Sequence, residues 1–292
     1  MGRIFVGVLT GLIVLVTVFE DKLIFFPAKY PEGDWNIIAR SAREGEDFLA
    51  VEDCYLTTSD GVKIHGWMCS PQRTTRGDLT PLQSDMVMLF FHGNAGNITG
   101  RYEMIRQFVR TPARALIIDY RGYGKSEGSP SERGVYLDAR AAWDYLTTAL
   151  GVPPDKIVLF GESLGGAVAI DLALRTQQAG TPCGGLIIQS SFTSIPEMAA
   201  TVAPYVPRLL LRTKMASIDK IGLVRCPKLF IHSRADEIVP FEMGWRLFSA
   251  ASDPKRFYEI AGAGHNETDL AGGRPYFDAI SEFVRECRKP VN

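Results

Sequence analysis

Ser163 sits in Gly161-Glu162-Ser163-Leu164-Gly165, between the apolar run Ile157-Val158-Leu159-Phe160 and a stretch of small and apolar residues from Leu164 to Leu174. The first reads as a buried strand and the second as a buried helix. A serine on the tight turn between them is pushed out of the backbone, with its hydroxyl exposed at the strand end. Glycines on both sides permit the strained turn and the close strand–helix contact. Five-residue patterns arise by chance, and it is the strand-and-helix context that makes this one a nucleophile elbow. A serine hydroxyl is a poor nucleophile at neutral pH. It needs a base to take its proton and a group to orient that base.

On such an elbow the acid and the base follow the serine along the chain, acid first. Of the four histidines, His65 and His92 precede Ser163, and His232 lies in or at the end of an apolar strand. His265, in Gly262-Ala263-Gly264-His265-Asn266, follows the strand-like Arg256 to Ile260 on a glycine-rich loop. It is the expected general base, and the other three histidines are expected to be structural. The acid candidates lie on the loop after Phe230-Ile231-His232-Ser233: Asp236 directly, and Glu237 beside it, pointing elsewhere. Asp236 is the expected orienting acid. Two amides should hold an oxyanion: that of Leu164, heading the helix after the nucleophile, and that of Asn94 in the loop His92-Gly93-Asn94-Ala95-Gly96-Asn97.

These groups need a sheet to converge. Leu49 to Thr57 and Val62 to Cys69 read as strands of a hairpin turned at Ser59-Asp60-Gly61. Met86 to Phe91, Ala115 to Ile118, Ile157 to Phe160, Leu186 to Ile188 and Leu229 to Ile231 are short continuous apolar runs, as parallel strands buried on both faces require. Helical spacing falls between them, in Val135, Ala139, Ala142, Leu146 and Leu150, and again in Phe277, Ile280, Phe283 and Val284. The expectation is an α/β fold: a mostly parallel twisted sheet with helices on both faces, an antiparallel N-terminal hairpin, and functional groups at the carboxyl ends of the strands. The polar stretch Ser70 to Asp85 reads as a loop, and Ser191 to Cys226, with three prolines and an apolar set, as a small helical cap over the site.

The chain has 292 residues, 46% hydrophobic and 22% charged, which suits one large domain. A net charge of −1 leaves no nucleic-acid footprint. The five cysteines are widely spaced with no Cys-x-x-Cys, which argues against zinc and against a disulfide framework, although one bridge is open. No ligand cluster for a metal and no cofactor motif is visible.

Ile4 to Phe19 is apolar apart from Thr10, Thr17 and two glycines, with Arg3 before it and Glu20, Asp21 and Lys22 after. As a helix it would be ~24 Å long, somewhat short of a ~30 Å hydrocarbon core. An uncleaved membrane anchor, a cleaved signal peptide and a core helix are the competing readings. With no small-x-small cleavage site after the run, the anchor is preferred. Met1-Gly2-Arg3-Ile4-Phe5-Val6 lacks the Ser or Thr of a myristoylation signal. Positive charge before the run and acid after it set the N-terminus in the cytoplasm and the remaining domain on the non-cytoplasmic side. Residues 1–26 would form the anchor and residues 27–292 the catalytic domain, with the cap inserted at about 193–225.

Four blocks carry a resemblance: the loop His92 to Asn97; Asp119-Tyr120-Arg121-Gly122-Tyr123-Gly124-Lys125-Ser126-Glu127-Gly128; Gly161 to Gly166; and Asp236-Glu237-Ile238-Val239-Pro240 with Gly264-His265. Together with Lys22-Leu23-Ile24-Phe25-Phe26-Pro27 they resemble the membrane-anchored α/β hydrolases of the bud-emergence type, whose relatives include protein depalmitoylases and serine aminopeptidase-like hydrolases. The resemblance implies the α/β-hydrolase fold, an N-terminal membrane helix, a compact cap and a Ser-Asp-His triad on Ser163, Asp236 and His265. The expected activity is that of a serine hydrolase acting on a small-molecule carboxylic ester or thioester with an acyl or lipid-like group, through a covalent acyl-enzyme and without a cofactor. A peptidase or amidase using the same triad, and a non-catalytic binding protein on the same scaffold, are the alternatives. Depalmitoylating relatives carry cysteine-rich N-termini, whereas no cysteine precedes Cys54 here.

Overall fold

The structure is a computed structural model that describes residues 19–36, 47–75, 78–81, 84–108, 111–204 and 206–288. Its strands are β1 (Phe26–Pro27), β2 (Asp47–Thr57), β3 (Lys63–Thr75), β4 (Asp78–Pro81), β5 (Val87–Phe91), β6 (Ala95–Gly96), β7 (Arg114–Ile118), β8 (Ile157–Glu162), β9 (Gly185–Gln189), β10 (Lys228–Ser233) and β11 (Lys255–Ile260). Among the described residues, one large sheet runs in the order β11-β10-β9-β8-β5-β7-β3-β2, with β4 on β3. From β7 to β11 every pairing is parallel, whereas β3 runs antiparallel to β2, β4 and β7. The hairpin thus caps one edge of a parallel sheet, as expected.

The continuous apolar runs follow from burial on both faces. In β8, Ile157 and Leu159 point into one core with Val135, Ala139, Ala167 and Ile170. Val158 and Phe160 point into the other with Ile105, Phe108, Ile280 and Phe283. Alternate residues therefore serve opposite layers. Helices Glu132–Asp144 and Leu164–Gln178 cover the first face, and Tyr102–Gln107 and Thr268–Arg288 the second. Ser131 starts the helix at Glu132 by accepting the amide of Gly134 at 3.1 Å. Helix Thr268–Arg288 is broken at Gly273, which takes φ 52°, just before Pro275.

The stretch Ser70 to Asp85 is not the loop that its polarity predicts. It is largely strand: β3 continues to Thr75 and pairs with β4, Thr75 opposite Asp78 and Gln72 opposite Pro81. A ladder is built from backbone groups, so polar side chains do not forbid it.

The expected membrane run, Ile4 to Phe19, lies outside the described residues except for its last member. Among the described residues, no helix is long and apolar enough to cross a membrane. The segment after the run is part of the body. Residues 19–24 are helical, Phe25 is 2% exposed within the core, and Phe26 and Pro27 pair with Ala95 and Gly96. All five cysteines are free thiols; Cys183 and Cys226 are buried with their sulfurs 3.5 Å apart.

Candidate active site

The turn after β8 is as tight as its sequence requires. Ser163 takes φ 54° and ψ −116°, a conformation that costs a non-glycine residue about 1–3 kcal/mol. A Cβ at Gly165 would stand 2.0 Å from the Phe91 carbonyl oxygen, and one at Gly161 would stand 2.3 Å from that of Gly165. Helix Leu164–Gln178 therefore approaches β5 and β8 backbone to backbone, and only glycine fits. The Ser163 amide donates to Gln189 O at 2.8 Å, and Ser191 Oγ donates to Ser163 O at 2.8 Å. The nucleophile candidate is held from both sides of its own peptide.

His265 and Asp236 meet it although they lie far along the chain. His265 Nε2 is 3.1 Å from Ser163 Oγ, and His265 Nδ1 is 2.8 and 3.0 Å from the two Asp236 carboxylate oxygens. A carboxylate only accepts, so Nδ1 carries the proton and Nε2 offers its lone pair to the serine hydroxyl. Asp236 Oδ1 also accepts the amides of Ile238 and Val239, at 3.0 and 2.8 Å, which fold the loop after β10 into a turn around it. Burial by itself would raise the Asp236 pKa. Hydrogen bonds from His232 and His265, the charge of His265 and the Val239 amide outweigh it and hold the carboxyl well below its usual range. The acid stays ionised.

The remaining expected groups border the same space. Leu164 opens its helix, so its amide has no partner within the helix and the positive end of the helix lies beside Ser163. Asn94 follows β5 and is fastened from behind: its carbonyl accepts Phe26 N–H at 2.8 Å and the Tyr123 hydroxyl at 2.6 Å, while Asn94 Nδ2 donates to Ile24 O at 2.9 Å. Ser163, Leu164 and Asn94 all line one cavity of about 360 Å³. Its walls are otherwise mainly apolar, from Leu23 and Ile24 on one side and Ile195, Met198 and Val206 of the cap on the other. A groove of about 910 Å³ lies elsewhere, lined by Glu132, Arg133, Tyr136, Arg175 and Arg212 among others. It contains none of these groups, so size alone does not identify the site.

The other histidines have different partners. His65 Nε2 is 2.6 Å from Asp53 Oδ1. His92 Nδ1 donates to Gly93 O at 2.7 Å, and burial, aided by the positive charge of Arg101, pushes its pKa down to about 3. His232 Nε2 donates to Val239 O at 3.0 Å and lies 3.3 Å from Asp236 Oδ2, so it braces the acid.

Three further carboxylates surround the site, and each is engaged. Glu162 forms a two-pronged pair with Arg101 at 2.9 and 3.0 Å. Glu237, expected to point away from the base, accepts the backbone amide of His265 at 3.0 Å. Glu20, 1% exposed and lining the cavity, accepts Arg212 N–H, Arg212 Nε and Thr213 N–H at 3.0, 3.1 and 2.8 Å. Nothing in the sequence pointed to Glu20. Glu237 was visible as the neighbour of Asp236, but only the turn geometry decides that its side chain swings back to the histidine loop.

Comparison with known proteins agrees with this architecture. Residues 87–214 match the model of the alpha/beta hydrolase fold family. The chain is 36% identical over 280 residues to the uncharacterised protein Rv2307c of Mycobacterium tuberculosis, covering 96% of this chain and 92% of that one. It is 34% identical over 272 residues to protein bem46 of Schizosaccharomyces pombe, covering 91% and 86%. The solved esterase Pf2001 of Pyrococcus furiosus superposes with a TM-score of 0.70 at 18% identity, covering 90% of this chain and 98% of that one, which is a likeness of fold. With the elbow, the sheet order and these relatives matched over most of their length, the chain belongs to the α/β hydrolases of the bud-emergence type.

Proposed function

We propose that this hydrolase is a serine esterase or thioesterase whose substrate carries an acyl chain. The single observation that carries the reading is the 3.1 Å approach of Ser163 Oγ to His265 Nε2 at the wall of an apolar cavity. The Ser163 oxygen attacks the acyl carbonyl carbon while its proton passes to His265 Nε2. The carbonyl oxygen gains negative charge and is met by the amides of Leu164 and Asn94. As the carbon–oxygen or carbon–sulfur bond breaks, His265 returns the proton to the leaving group. Water then repeats the sequence on the acyl-enzyme, and the acid is released. Asp236, ionised throughout, fixes the tautomer of His265 and stabilises its charged form. No cofactor takes part.

The cavity supports the acyl choice. Its walls would bury a hydrocarbon chain at about 0.8 kcal/mol per methylene. An aminopeptidase would instead need a carboxylate for the substrate ammonium, and Glu162, Glu237 and Glu20 are all committed to other donors. Residues 1–26 are read as a membrane anchor and residues 27–292 as the catalytic domain on the non-cytoplasmic side, with the cap at about 193–225; of the anchor, residues 19–26 pack against the domain. Turnover of p-nitrophenyl esters from four to sixteen carbons by the detergent-solubilised protein is the test. Cleavage at no chain length would sink the reading.

A further inference from the structure

Gln189 ends the apolar strand β9 and is 1% exposed. A primary amide buried among apolar residues is costly unless it is hydrogen-bonded, and here each end of the amide finds a partner. Gln189 Nε2 donates to Thr268 Oγ1 at 2.7 Å, and Gln189 Oε1 accepts the Tyr276 hydroxyl at 2.5 Å. Both partners are buried as well. A leucine in this place would take these bonds from two buried hydroxyls, with Met104 Sδ at 3.8 Å left to Tyr276.

The two partners lie on the segment that carries His265. Thr268 stands three residues beyond His265 and opens helix Thr268–Arg288. That helix is broken at Gly273, which separates its first turn, joined to His265, from the long part that bears Tyr276. The Gln189 side chain ties both parts to the sheet. Its main chain has a different task, because the Gln189 carbonyl accepts the Ser163 amide at 2.8 Å. The bonds described above for Asp236 and Glu237 hold His265 to the loop after β10, whereas Ser163 follows β8. Gln189 spans that division: it holds the elbow through its backbone and the histidine segment through its side chain.

Resting on the serine-hydrolase reading above, we propose that Gln189 is a positioning residue that sets the separation of Ser163 Oγ and His265 Nε2. One strand end fixes where the nucleophile stands and where the histidine segment is moored, so the two cannot drift apart independently. Gln189 touches no reacting atom, and neither it nor Thr268 lines the apolar cavity. Loosening the bridge therefore spoils proton transfer and leaves substrate binding alone, which places the defect in kcat.

Fluorophosphonate labelling of the full-length, detergent-solubilised protein reads the Ser163–His265 pair directly. A phosphorus–oxygen bond forms to Ser163, fluoride leaves, and His265 takes the serine proton. Gln189→Leu and Thr268→Val are each expected to slow labelling, and to lower kcat on a soluble four-carbon ester, roughly 10- to 100-fold, with KM held within about two-fold. Thr268→Ser, which keeps the hydroxyl, should restore the parental rates. Parental labelling and kcat in Thr268→Val overturn the proposal. So does an equal loss in Thr268→Ser, because the hydroxyl would then not be the working group, and so does a loss that only follows the folded fraction seen by circular dichroism. Where Gln189→Leu does not fold, the two Thr268 variants decide. A parent protein that labels but cleaves no ester ends the esterase reading and leaves the labelling rates to judge Gln189, whereas a parent that does not label ends both.

Discussion

The buried carboxylate of Glu20 accepts the backbone amide of Thr213 at 2.8 Å across a chain separation of 193 residues. The same carboxylate takes two further bonds from Arg212, so the helical turn at residues 19–24 and the cap strap behind Leu211 form one wall of the cavity. Removing the carboxylate leaves two amides without an acceptor. Glu20→Ala should therefore destabilise the protein by about 1–3 kcal/mol and raise KM for long-chain esters more than for short ones. Thermal melting with a chain-length series checks both. Equal stability and unchanged KM would mean that the wall does not depend on this contact.

The proposed Ser163–His265–Asp236 triad predicts covalent labelling by a fluorophosphonate that disappears in Ser163→Ala with little change in melting temperature. Asp236→Asn should lower kcat by about 10⁴, because the amide stabilises the wrong tautomer of His265. Persistent labelling of Ser163→Ala would direct attention to another nucleophile.

Glu237 reaches His265, the proposed base, only through that residue's backbone amide. Losing its bond to the His265 amide lets the loop shift, and small misplacements of a reacting group are costly. Glu237→Ala is expected to lower kcat roughly 10- to 100-fold with KM nearly unchanged, whereas Glu237→Gln, which keeps an acceptor oxygen, should recover most of it. A parental kcat in the alanine variant would remove the positioning role.

His92 predicts how stability responds to acid. Its folded pKa lies at about 3, from burial first and the nearby Arg101 second, against about 6.5 when unfolded. Between those values the unfolded chain binds a proton that the folded one refuses. Stability should thus fall as pH drops from about 6.5, and this contribution levels off near pH 3. His92→Asn, whose amide can still donate to Gly93 O, should flatten the melting-temperature profile between pH 6.5 and 4. Identical slopes would show that other groups set the acid limb.

Met198 faces the cavity from the cap helix Ile195–Val202. Met198→Trp should shorten the space for hydrocarbon. The expected result is at least a ten-fold loss of turnover on a sixteen-carbon ester, with four-carbon turnover kept. A uniform fall across chain lengths would point to a disturbed cap.

The elbow at Ser163 and the parallel strands were legible in the sequence because their causes are local: glycine at positions that tolerate no Cβ, and apolar runs that make sense only between two covered faces. The candidates His265 and Asp236 were legible for a similar reason, since chain order on this topology leaves few polar residues at the right strand ends. The strand at Thr75 and its partner at Asp78 were not legible, because ladder bonds are made by the backbone and leave no mark in side-chain polarity. Nor was the work of Glu20 and Glu237. A buried carboxylate is stable only where donors converge on it, and that convergence joins segments that no spacing rule connects. The sequence by itself therefore determined the sheet, the sharp turn and the chemical types available to it. Only the tertiary structure decided that Glu237 swings back to the His265 amide and that Glu20 walls the cavity, because both depend on distances set by the packed layers.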